Sequence, residues 1–206
     1  MITIHSQSIL EGRDYVIVGC DRVGPYRVPE LGGAGLPAGL DLCPSGPIRV
    51  TVPGSVLDGW DVRGGIVIDA PDVVLLRSRA TGDRLAPYGV RTTSAGSVRI
   101  EDTTFTGDFP EAAIGGDRWT GERVRIVATG GDGAHLGVGS RLRNSRLPDA
   151  ATDVPGGRVV ISGNTLAGGR HTLHEAAAGL PEVWLTGNRF ERDAGQGPLR
   201  CHRARY

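Results

Sequence analysis

The stretch Val98-Arg99-Ile100-Glu101-Asp102-Thr103-Thr104-Phe105 decides the fold, because variants of it return along the chain. Copies of this eight-residue phrase start at Ser55, Val73, Val98, Val124, Ser140, Val159 and Val183. The third position is aliphatic throughout: Leu57, Leu75, Ile100, Ile126, Leu142, Ile161 and Leu185. The sixth is Trp60, Ser78, Thr103, Thr129, Ser145, Asn164 or Asn188, and all but the first are small hydrogen-bonding residues. The eighth is mostly apolar, as in Val62, Phe105, Leu166 and Phe190. Spacings between copies are 18, 25, 26, 16, 19 and 24 residues. A period near 20 residues marks a repeat architecture. Helical repeats keep a strict length, whereas the coils of a parallel β-helix keep their strands and vary their loops.

Within one copy, positions one, three and eight point inward and position two points out, which is the alternation of a half-buried strand. Position six breaks the aliphatic pattern with residues that can stack coil over coil, about 4.8 Å apart, and hydrogen-bond their equivalents. Asn also tolerates the left-handed backbone of a tight corner. The chain has three Asn, and two of them, Asn164 and Asn188, hold position six. No single coil can bury its own inner face, so stacking must do so and the ends need caps. The expected fold is all-β: a parallel β-helix of about seven coils, with a short N-terminal β extension and loop-rich caps. The competing fold, an antiparallel sandwich, would carry hairpin turns such as Asn-Gly, and Asn-Gly does not occur.

The 206 residues fit one domain. There are 33 Gly and 13 Pro, in keeping with many turns per coil. Lysine is absent and the formal net charge is zero, which gives no general attraction to nucleic acid or anionic membrane. No apolar run is long enough for a secretory signal core or a membrane span, so synthesis in a cytoplasm is expected. Cys20, Cys43 and Cys201 fit no zinc or redox spacing and are expected as free, packed thiols, with a Cys20–Cys43 bridge as the alternative.

Along the chain, residues 1–23 read as an extension outside the repeat, with strands at 2–5 and 15–18. Residues 24–47 are a Gly/Pro-rich loop and cap, 48–190 the parallel β-helix, and 191–206 a C-terminal cap or tail. Loops are expected to vary most at 81–88, 107–120, 148–157 and 167–181, with one helical turn at 172–178.

Several phrases carry a family resemblance. They are Leu36-Pro37-Ala38-Gly39, Thr51-Val52-Pro53-Gly54-Ser55-Val56-Leu57-Asp58-Gly59 and Val67-Ile68-Asp69-Ala70-Pro71-Asp72-Val73. With them go Gly131-Asp132-Gly133-Ala134-His135-Leu136-Gly137, Leu166-Ala167-Gly168-Gly169, Thr186-Gly187-Asn188-Arg189-Phe190 and Gly197-Pro198. In order and spacing, over roughly residues 24–200, they resemble right-handed parallel β-helix proteins of pectate-lyase-like type from actinobacteria and their bacteriophages. In the phages these are usually labelled minor tail or virion proteins. The resemblance implies a right-handed solenoid and three-fold assembly. Members carry a His-Asn-Asp-Gly type segment on a longer loop between the fifth and sixth coils. Here that region is Pro148-Asp149-Ala150-Ala151-Thr152-Asp153-Val154-Pro155-Gly156, which is trimmed toward a bare solenoid.

Enzymes on this fold set carboxylates on neighbouring coils, either two for glycoside hydrolysis or a cluster for calcium. In the alignment above no two consecutive coils carry an acid in one column, which weighs against such a face. The weak catalytic candidates are Asp132 and His135, an acid–base pair in type. Asp117 and Trp119 stand one coil earlier, Trp119 as a surface for a sugar ring. Arg99, Arg125 and Arg141 would form an outer stripe for an acidic glycan or a partner subunit. His171 and His174 have the spacing of two ligands on a helical turn but lack a third, so no metal and no cofactor is expected.

The leading functional expectation is a non-catalytic bacteriophage virion protein, in the tail or decorating the capsid. It would be a rigid homotrimer attached to other virion proteins through residues 1–23 and in contact with host surface glycans. One alternative is a polysaccharide lyase, hydrolase or epimerase. Another is a carbohydrate-binding surface module.

Overall fold

The computed structural model describes residues 2–4, 17–19, 33–127, 130–148, 158–167 and 182–191. A strand of three to five residues cannot bury its inner face alone, and here each pairs in parallel with its equivalents one coil away. Three sheets result. Sheet A stacks Ile2–Ile4, Ile48–Val50, Ile66–Ile68, Tyr88–Thr92, Ala112–Gly115 and Asp132–Ala134. Sheet B stacks Ile17–Gly19, Val56–Asp58, Val73–Leu76, Val98–Glu101, Trp119–Glu122, Arg141–Arg143, Arg158–Ser162 and Glu182–Thr186. Sheet C stacks Cys43–Ser45, Trp60–Arg63, Arg79–Asp83, Thr104–Asp108, Arg125–Val127, Arg146–Leu147, Thr165–Ala167 and Arg189–Glu191. From Ile2 to Leu147 the described strands visit A, B and C in turn, and no helix occurs among the described residues.

The fold is therefore a parallel β-solenoid, but of about five full turns rather than seven. Complete three-sided coils run from Ile48–Val50 to Arg146–Leu147, a column about 24 Å tall. The repeated phrase records only the B and C sides of a coil, and the A side before each of its last two copies lies outside the described residues. Sheet A hides in segments that read as loop. The expected loop at 107–120 contains the strand Ala112–Gly115.

The sequence alignment slips at its fourth copy. Ile126 does not follow Ile100 in sheet B; it pairs with Phe105 in sheet C. The residue in register with Ile100 and Leu142 is Gly121. The fourth copy thus starts at Trp119, and the spacings become 18, 25, 21, 21, 19 and 24. Packing explains the slip. Trp119 fills the interior of this coil, and a Cβ on Gly121 would sit 2.8 Å from Leu142 Cδ1 and 3.5 Å from the indole. The next aliphatic run, Val124-Arg125-Ile126, imitates the phrase from the wrong side of the corner.

The strands at Ile2–Ile4 and Ile17–Gly19 do not stand outside the repeat. They are the first rungs of sheets A and B, paired with Ile48–Val50 and Val56–Asp58. Residues 33–42 then cross the outside of sheet C. The Gly35 N–H donates to Arg123 O at 2.7 Å and that of Leu36 to Thr104 Oγ1 at 2.8 Å. Cys43 is disulfide-bonded, which corrects the free-thiol expectation for this residue. Its partner and the segments 168–181 and 192–206, with His171 and His174, lie outside the described residues.

The corner between sheets B and C has one fixed geometry. Position five is left-handed in every copy: Gly59, Arg77, Asp102, Arg123, Asn144, Gly163 and Gly187 have φ between 42° and 75°. The left-handed residue is thus position five rather than the Asn of position six. Position six turns inward and forms a ladder. Ser78 Oγ accepts the Trp60 N–H at 3.1 Å, and Ser145 Oγ that of Val124 at 3.0 Å. Asn164 Oδ1 accepts the Ser145 N–H at 2.8 Å. Asn188 Oδ1 accepts the Asn164 N–H at 3.0 Å. The hydroxyls of Ser78, Thr103 and Ser145 donate back to carbonyls two residues earlier. The ladder therefore runs mainly from side chain to backbone, with one direct side-chain rung, Asn164–Asn188 at 3.1 Å. Thr129 lies outside the described residues, and Val124 occupies the rung assigned to it.

Replacing Asn164 by Ala strands the Ser145 N–H and the Leu142 carbonyl inside the solenoid. Denaturant titration should show a loss of about 3 kcal/mol. Val124→Thr adds a hydroxyl where the ladder has a gap and should change stability by less than about 1 kcal/mol. The same change at Val62, buried at position eight, should cost roughly 2 kcal/mol.

Candidate functional site

The outer face of sheet A gathers the chemistry-bearing side chains. Three successive strands of the sheet share a pattern of one variable residue, a small residue, an aliphatic and a second variable residue: Tyr88-Gly89-Val90-Arg91, Ala112-Ala113-Ile114-Gly115 and Asp132-Gly133-Ala134-His135. The small second residue is required by the core, because a Cβ on Gly89 would meet the Phe105 ring at 2.8 Å. The variable residues are left to the outside. His135 ends its strand with both backbone groups fixed. Its N–H donates to Ile114 O at 2.8 Å, and its carbonyl accepts Trp119 Nε1–H at 3.1 Å. Its Nε2 lies 2.8 Å from Asp132 Oδ2. An ionised carboxylate only accepts, so the neutral tautomer that satisfies this contact donates from Nε2 and leaves Nδ1 as an acceptor. The His135 ring stands edge-on to Tyr88, 6.0 Å between centroids and 74° between planes. Arg91 lies 5.3 Å from the Tyr88 ring centroid.

The structure thus brings Asp132 and His135 together, as their type and spacing imply, but separates them from the rest of the expected group. Trp119 is 0% exposed and fills the core, so it presents no surface to a sugar. Asp117 closes a turn, its Oδ1 accepting the Val138 N–H at 2.8 Å. The arginine stripe is not one stripe. Arg99 and Arg141 are on sheet B with Thr120 between them, whereas Arg125 is on sheet C between Thr104 and Arg146. Arg99 is also paired with Glu101 at 3.1 Å. The aromatic and the cation beside the His–Asp pair are Tyr88 and Arg91, which sequence reading missed. Their signal was the four-residue sheet A pattern, too short and too rich in small residues to stand out from loop.

Correct register also changes the acid columns. Glu101 and Glu122 are directly paired in consecutive coils, which overturns the expectation that no column repeats an acid. They do not form a free carboxylate pair. Arg123 reaches both at 3.5 Å and makes two bonds, 2.6 and 3.0 Å, to Asp102, whose side chain is only 4% exposed. The Asp102 carboxylate raises the pKa of Arg123 further still, so the guanidinium stays charged. Asn144 Nδ2 donates to Glu122 Oε1 at 2.7 Å. Elsewhere Asp58 pairs with Arg77, Asp61 with Arg79, Asp69 with Arg49 and Asp108 with Arg84. The hydrogen bond from Arg79 lowers the Asp61 pKa, and those from Thr93 and then Arg49 lower that of Asp69. Among the described residues no cluster of His, Cys, Asp and Glu could hold a metal ion.

No protein-family model matches the chain, and neither a curated protein nor a solved structure matches it.

Arg123→Ala removes both guanidinium bonds to the buried Asp102 carboxylate and should lower stability by roughly 3 kcal/mol in chemical denaturation. Asp61 and Asp69 have folded values below the ordinary 3.8. Their contribution is complete above that pH and disappears as pH falls through the lowered values. The thermal midpoint of the wild type should therefore drop on acidification below about pH 4, and the Asp61→Asn, Asp69→Asn double variant should show a shallower drop.

Proposed function

We propose that this protein is a non-catalytic structural component of a bacteriophage virion, a right-handed parallel β-helix that acts as a rigid oligomeric module. One observation carries the reading. Seven carboxylates of the described solenoid are held by arginines of the same or adjacent coils: Asp58, Asp61, Asp69, Glu101, Asp102, Asp108 and Glu122. Acids held this way cross-link coils and are poorly placed to act as a nucleophile, general acid or calcium cage. The resemblance to actinobacterial and phage solenoids supports placement in a virion, in a minor tail or capsid-decorating position.

Attachment to other virion proteins would run through residues 1–23. Their two strands form the terminal edges of sheets A and B and can accept further strands from a partner. The faces of sheets B and C would pack against two further copies, and the exposed surface would meet host glycans. A second reading, a polysaccharide lyase, hydrolase or epimerase, is favoured by the hydrogen-bonded His135–Asp132 pair alone.

Light scattering on the purified full-length chain should give three times the monomer mass. Incubation with acidic polysaccharides should release no unsaturated or reducing ends. A monomer that degrades such a polymer would sink the structural reading and establish the second.

A further inference from the structure

The four residues on sheet A take no part in the arginine–carboxylate links that join coils elsewhere. Tyr88 and Arg91 lie on one rung, and Asp132 and His135 lie two rungs on. The rung between contributes only Ala112 and Gly115 in register with them. The Tyr88 ring fills that gap, because a Cβ on Gly115 would sit 2.5 Å from its Cε1. The ring is therefore laid across the sheet, while Arg91 is exposed beside it.

Arg91 differs from the arginines of the ion-pair network. Arg49, Arg77, Arg79, Arg84, Arg99 and Arg123 each have a carboxylate partner. Among the described residues no carboxylate lies within ion-pair distance of Arg91, and its recorded contact is the Tyr88 ring. A guanidinium held against an aromatic ring, with its donors uncommitted to an acid, is a receptor for a planar anion. The ring offers an apolar face and a hydroxyl. Asp132 and the Nδ1 of His135 offer acceptors for hydroxyl groups.

We propose that Tyr88, Arg91, Asp132 and His135 form a binding site for a sugar ring that carries a carboxylate. Arg91 takes the carboxylate through paired N–H donors, the C–H face of the pyranose lies on Tyr88, and the ring hydroxyls donate to Asp132 and His135. The site is open and shallow, so a single copy binds in the range of about 0.1–1 mM. Several copies on one assembly multiply that strength without new contacts. The assignment rests on these four side chains and is independent of where the protein resides.

Titration of the purified full-length protein with tetraglucuronate and with cellotetraose tests it, since the two share a backbone and differ in oxidation at C6. Calorimetry should show binding of tetraglucuronate and at least tenfold weaker binding of cellotetraose. Arg91→Ala and Tyr88→Ala should each weaken tetraglucuronate binding tenfold or more, whereas Arg143→Ala, on another sheet, should leave it unchanged. The thermal midpoint of each variant checks folding, and Arg91→Ala alone decides if Tyr88→Ala fails to fold. The proposal is overturned if the folded wild type binds no tetraglucuronate at millimolar concentration. It is equally overturned if binding survives Arg91→Ala, or falls as much with Arg143→Ala.

Discussion

The left-handed corner at position five is the constraint on which the rest of the solenoid depends. One residue there turns the chain from sheet B to sheet C while its N–H still points along the stack. Arg77, Asp102, Arg123 and Asn144 each donate that N–H to a carbonyl of the next coil, at 3.1–3.2 Å. The backbone ladder therefore runs through the bend unbroken. The same turn swings position six inward, where a side chain of one coil accepts the position-six N–H of the coil before. Without the left-handed residue the corner would need more chain, and the Ser, Thr and Asn of position six would lose their alignment.

A non-glycine residue pays roughly 1–2 kcal/mol for this conformation, yet only three of the seven corners are glycine. The occupants explain why. Arg77 reaches back to Asp58, Arg123 to Asp102, and Asn144 to Glu122, each on the preceding coil. Stacking in parallel places equivalent positions directly over one another, so a strict repeat would set like charge on like charge. Glu101 over Glu122 is such a pair, and Arg123 lies against both. The corners thus trade backbone ease for links between neighbouring coils, which is where the stability of a solenoid resides.

The legible part of the sequence was the part with strong alternation. Leu57, Leu75, Ile100, Leu142, Ile161 and Leu185 stand in sheet B in the order and register that the phrase implies. The register failed where packing was met by a different division of volume. Trp119 with Gly121 fills the space that two aliphatics fill elsewhere, and no pattern based on hydrophobic periodicity weighs one large residue against one absent side chain. Sheet A escaped notice for a related reason. Phe105 and Phe109 of sheet C and its following turn occupy the interior, so its facing strands can afford only Gly and Ala there. Such strands look like turns.

That economy of volume also explains why the site was only half visible. Asp132 and His135 belong to a segment with a turn-like dipeptide, and Trp119 drew attention as the nearest aromatic. Once the indole is inside, its N–H serves the site indirectly by holding the His135 carbonyl. Tyr88 takes the surface position instead, and Gly115 gives it room to lie down. The interior therefore dictates the exterior twice over. Small residues demanded by the core leave the flanking positions of these three sheet A strands free of core packing. The first and third of these rungs hold there an aromatic ring, a guanidinium without a carboxylate partner and a hydrogen-bonded imidazole–carboxylate pair. On sheets B and C and at the corner between them, outward positions such as Asp61, Arg79, Arg99 and Glu101 are instead engaged in arginine–carboxylate links.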